Sequence, residues 1–239
     1  MSRHVKALNI CELLARILLL AASVHLYFTD TGALDFTVMP RFNFGGALLI
    51  VTFFMLAVGM LFRIIPNRRI AIGARKHFTC SYRLPLVEIS AEEAAAAQKR
   101  LHRGAFLSGL SWAVITAMLL FALFLFDLLT PGAVVVIALF YSVIDLVFIL
   151  TFCPFRALFM RNRCCTVCRI YNWDYFMMCA PLIVFPSVYS VGLFLLSVAI
   201  LIRWELAIKK NVHFFMPETN EGLRCELCEV EHYCRHTLG

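Results

Sequence analysis

"YFMMCAPLIVFPSVYSVGLFLLSVAILIRWELAIKK", residues 175 to 210, decides how many times this chain crosses a membrane. The run is apolar enough for a crossing, but Pro181, Pro186 and Gly192 interrupt it. A proline inside a helix removes a backbone hydrogen bond and crowds the carbonyl four residues earlier. Membrane helices tolerate such breaks where neighbours satisfy the freed groups. Two readings follow: one kinked span over residues 176 to 202, or a re-entrant hairpin hinged near Pro186-Ser187. No polar loop divides the run, so the single kinked span is preferred.

The rest of the chain agrees on the solvent. Of its 239 residues 62% are hydrophobic and 15% charged, where soluble domains carry roughly a quarter charged. Four more runs reach the roughly 20 apolar residues that a span needs; they lie near 8–28, 44–65, 105–129 and 133–152. Thr130-Pro131-Gly132 separates the last two as a breaker turn. The first run starts basic, like a signal peptide, yet Glu12 and Arg16 interrupt it and no small-residue cleavage site follows. It reads as a retained helix. The expected fold is all-α: a polytopic integral membrane protein of about five transmembrane helices, the fifth kinked or re-entrant. Residues 1–210 form the transmembrane domain, and residues 211–239 a short soluble Cys/His-rich tail.

Charge sets the expected orientation. Residues 63–104 hold nine Lys/Arg against three Glu, and residues 153–175 hold four Arg against one Asp. Cytoplasmic loops carry the Lys/Arg excess, so the amino terminus and these two loops are placed inside a bacterial inner membrane. Five crossings then put the tail outside. Arg203, Lys209 and Lys210, directly after the last run, argue for the inside; parity is weighed more heavily. The net charge of +7 needs no nucleic acid, since anionic lipid at the basic loops accounts for it. Within the second loop, Ser90 and Glu93 have capping-box spacing. Glu92 and Glu93 open that helix, and Lys99, Arg100 and Arg103 close it, in keeping with the helix dipole.

Seven of the ten cysteines cluster near two points. In the tail, Cys225, Cys228, Cys234 and His236 offer four ligands within twelve residues, a set that suits tetrahedral zinc or part of an iron–sulfur cluster. His232 is a competing donor. Disulfides are the plainer alternative if the tail faces an oxidising space. In the fourth loop, Cys164, Cys165 and Cys168 fall within five positions, with Cys153 upstream. Arg161, Arg163 and Arg169 beside them favour thiolate, and a reducing cytoplasm disfavours disulfides. A hairpin in the fifth region would let both clusters share one centre. Cys11 and Cys179 lie in spans, where cysteine packs as a small hydrophobe.

Ionisable groups inside a membrane are functional by default. Asp145 and Arg16 each lie about 12 Å from the inner surface, counted at 1.5 Å per residue. They pair with each other, or Glu12 satisfies Arg16 within its own helix and leaves Asp145 beside Tyr141 and Ser142. Asn172 and Asp174 either cap the helix that follows or support metal ligands from behind.

No P-loop, G-x-G-x-x-G, H-E-x-x-H or G-x-S-x-G occurs, which argues against an ATPase, a nucleotide enzyme and the motif-bearing proteases. Enzymatic activity is not the preferred reading. The leading expectation is metal handling or electron transfer through a zinc ion or an iron–sulfur cluster at the membrane surface. A small transporter or transporter subunit built on Asp145 and the broken fifth run is the alternative; with so few spans it needs an oligomer or a membrane partner. A scaffold without chemistry is the third.

Overall fold

All regular structure in the computed structural model is helical; it describes residues 3–30, 32–38, 43–64, 90–161, 168–216 and 218–221, with side chains of the first helix from Ile10 onward. Six α-helices result: α1 Arg3–Thr29, α2 Phe44–Ile64, α3 Ala91–Leu125, α4 Pro131–Leu150, α5 Asp174–Cys179 and α6 Val188–Lys210. All but the short α5 contain a stretch long and apolar enough to cross a membrane. The outward side chains are as apolar as the inward ones: Phe54, Phe106, Phe121 and Val188 are all exposed. Water would not tolerate such a surface. The chain is a helical integral membrane protein.

Helix boundaries follow local chemistry. Ser90 caps α3 in a full capping box with Glu93. The basic residues 99 to 103 do not close this helix, as the charge pattern suggested. It runs on through Gly104, 35 residues in all, and at Gly104 it packs closely on the chain at Phe159–Met160, where an added Cβ would lie 2.7 Å from the Phe159 carbonyl oxygen. At its far end Asp127 adopts a left-handed φ of 55°. The amide of Leu128 donates to the Leu123 carbonyl at 2.8 Å and that of Asp127 to Phe124 at 3.2 Å, which makes a complete Schellman stop. Thr130 then caps α4, and Pro131 occupies its first turn, where a missing N–H costs nothing.

The preferred reading of the fifth region is overturned. Residues 171–184 form three short pieces, 3-10 over Tyr171–Trp173, α5, and 3-10 over Ala180–Val184, and α6 begins only after a break. Each proline has a place in this. Pro181 opens the second 3-10 piece. Pro186 pushes the residue before it out of helical conformation, and Phe185 is extended at φ −117° and ψ 92°. Ser187 then starts a new helix through a reciprocal cap with Ser190, whose hydroxyl also donates to the Phe185 carbonyl at 3.0 Å.

The two arms run antiparallel. Trp173 Nε1 donates to Glu205 at 2.8 Å, and the Phe176 and Phe194 rings lie 5.9 Å apart. The first arm is about 25 Å long by the rises of its 3-10 and α pieces. It carries too little regular helix to register as a span.

Around this hairpin, α1 and α4 pack antiparallel and α2 runs parallel to α6. Phe53 of α2 stacks on Tyr189 at 5.7 Å, and Arg203 donates to the Ile64 carbonyl at 2.5 Å. Leu49, Leu56 and Met60 of α2, Leu139 of α4, and Met178 and Leu182 of the first arm form the core. Gly59 admits the hairpin: a Cβ there would overlap the buried Tyr175 hydroxyl. Gly59→Ala should cost about 1–3 kcal/mol through overpacking. A thermal melt in detergent should show the loss, and an unchanged melting temperature would mean that α2 and the hairpin are not closely packed.

Candidate functional site

Arg63, in the last turn of α2, is the centre of the polar interior. Its Nη1 donates to Asn172 Oδ1 at 3.0 Å and its Nη2 to Asp174 Oδ2 at 2.7 Å. The guanidinium lies 4.3 Å from the centre of the Tyr171 ring and 5.7 Å from that of Tyr175. Asp174 is buried and Arg63 largely so, with 12% of its side chain exposed, so the pair is matched in charge, hydrogen-bonded and faced by rings, as a buried ion pair requires. Asn172 and Asp174 thus serve as acceptors for Arg63. No side-chain cap holds the start of α5, although Asp174 Oδ1 accepts from the next amide at 2.9 Å.

A second clamp closes the open ends of the hairpin. Both carboxylate oxygens of Glu205 accept from Arg169, one of them at 2.6 Å, and Trp204 Nε1 donates to the Arg169 carbonyl at 2.8 Å. The same end of the molecule gathers the start of α3, the loop after α4 and the beginning of the tail. Ala97, Leu101 and Ala105 pack with Met160, Cys168 and Met216, and Arg100 pairs with Glu218.

Beside the hairpin, α3, α4 and the first arm enclose a cleft of about 270 Å³. Its lining is mainly aromatic and aliphatic, with Asp145, Tyr141, Cys153 and Cys168 as polar members and Asp174 at the hairpin side. Tyr141 is engaged with Thr116 at 2.8 Å. Asp145 makes no hydrogen bond or ion pair to any described residue. Of the two pairings open for Arg16, the local one forms: it donates to Glu12 Oε1 at 2.5 Å, four residues back, and to the Ser142 carbonyl at 2.7 Å.

Cys168, Asp145, Arg16, Asn172 and Asp174 are the predicted site residues that the structure places. Cys164, Cys165, Cys225, Cys228, Cys234 and His236 lie outside the described residues. Among the described residues no three His, Cys, Asp or Glu side chains converge as a metal site would require. Cys179 is fully buried. Arg63, Glu205 and Trp112 were not singled out from sequence; Arg63 read only as one more residue of a basic loop. Comparison with protein families, curated proteins and solved structures gives no match.

Proposed function

We propose that the protein holds a zinc ion or an iron–sulfur cluster at one membrane face and serves metal handling or electron transfer. The ligands would come jointly from Cys164, Cys165 and Cys168 in the loop and from Cys225, Cys228, Cys234 and His236 in the tail. One observation carries the reading: the hairpin returns the chain to the end it left, with Arg169 and Trp173 against Glu205 and with Cys168 and Met216 in one apolar cluster. A single crossing would have parted the two thiol groups by the hydrocarbon core, roughly 30 Å. The Lys/Arg excess of residues 63–104 supports a cytoplasmic location for that shared end under the positive-inside rule; there thiols stay reduced and available as ligands.

The test combines metal analysis and an absorption spectrum of the purified protein with thiol labelling in intact cells. The expected result is stoichiometric zinc, or iron with cluster absorption, and tail thiols that a membrane-impermeant reagent reaches only after permeabilisation and chelation. Labelling in intact cells only after reductant would mean external disulfides. That result, or metal-free protein with every thiol titratable, would sink the reading.

A second reading, transport, is favoured by the unpaired Asp145 in a cleft beside broken helical segments, the arrangement from which transporters build sites. Under it, Asp145→Asn abolishes flux in proteoliposomes while the fold survives.

A further inference from the structure

We infer that the cleft between α3, α4 and the first hairpin arm binds a small lipophilic cation, with Asp145 as its counter-ion. Charge complementarity carries the assignment. The other acidic side chains of the helix interior have their cations: Asp174 has Arg63, Glu205 has Arg169 and Glu12 has Arg16. Asp145, about one and a half turns before the end of α4, has no cation at contact distance among the described residues; Arg63 and Arg16 act on it only from further away, and each is already held by its own carboxylate. A carboxylate within a membrane is costly without a cation in contact with it, and the cleft leaves room for one.

The lining says what kind of cation fits. Trp112, Phe140, Tyr141, Phe148, Phe155 and Tyr171 surround the space, and aromatic faces attract organic cations while repelling nothing apolar on them. A bare metal ion would need several oxygen or sulfur ligands, and no such group converges among the described residues. An anion would meet Asp145, and the positive charge of Arg63 is already taken up by Asp174 and Asn172. The occupant is therefore a compact aromatic or alkyl amine, or a quaternary ammonium or phosphonium ion. The inference shares Asp145 with the transport reading and gives that reading its substrate class, but binding requires no flux.

The experiment uses the purified full chain in an uncharged detergent. Two cations of different size, tetraphenylphosphonium and phenyltrimethylammonium, and the neutral triphenylphosphine oxide are titrated by equilibrium dialysis. At least one cation should bind saturably at one per chain and the neutral compound should not compete with it. Asp145→Asn should weaken cation binding about tenfold or more, as loss of a buried charge partner does, and Asp145→Glu should retain most of it. Folding of each variant is checked by its melting temperature. The wild-type comparison of cation against neutral compound stands even if a variant misfolds. Failure of both cations to bind, equal binding of the neutral compound at the same site, or full binding by a folded Asp145→Asn variant overturns the assignment. Binding without flux in proteoliposomes retires the transport reading alone; flux that depends on Asp145 without cation binding retires this inference alone.

Discussion

Arg63→Ala should lower the melting temperature of the purified protein by on the order of 10 °C, the largest loss expected from any single substitution here. The substitution strands the Asp174 carboxylate, only 5% of whose side chain is exposed. It also removes the donor to Asn172 and the cation over the Tyr171 ring. Breaking a buried pair from one side costs about 3–5 kcal/mol, because the remaining charge has neither partner nor water. Arg63→Lys should recover only part of the loss. An ammonium cannot serve Asn172 and Asp174 in the forked geometry and lie flat on a ring at once. Arg63→Ala combined with Asp174→Asn should be less damaging than the sum of the two, since no charge is then stranded. Strict additivity in that cycle would show that the pair does not hold the hairpin.

Glu205→Ala should open the hairpin without unfolding the other helices. Glu205 holds Arg169 through both carboxylate oxygens and accepts from Trp173 Nε1. Arg169 is 4% exposed, so its loss of partner leaves a buried cation. Glu205 itself is partly open to solvent, and screening there reduces the effect; a cost of about 2 kcal/mol follows. The readout is Cys179, which is fully buried on the first arm. In the variant it should react with a membrane-permeant maleimide several times faster than in the parent, because local opening limits the rate. Glu205→Gln keeps an acceptor for Arg169 and Trp173 and should fall in between. An unchanged rate in Glu205→Ala would mean that the arms are held by apolar packing alone.

The amino-acid sequence by itself determined the solvent and most of the helices. Apolar runs of span length place α1, α2 and α4 to within a few residues, because that signal is additive along the chain and needs no partner. Local chemistry was legible for the same reason. The Ser90–Glu93 box and the Thr130-Pro131-Gly132 break between α3 and α4 act within four residues, whereas Glu12–Arg16 was one of two pairings the sequence left open for Arg16.

Only the tertiary structure decided the reversal in the fifth region and the polar interior it creates. Pro181 and Pro186 forbid a regular helix but are compatible with a kink or a return; what selects the return is the clamp of Arg169 and Trp173 on Glu205 together with the packing of Met178 and Leu182 into the core. Arg63 read as a topology-setting cation because its two acceptors lie 109 and 111 residues further along the chain. A side chain's pairing is set by which helices meet at its depth, and no local pattern encodes that distance.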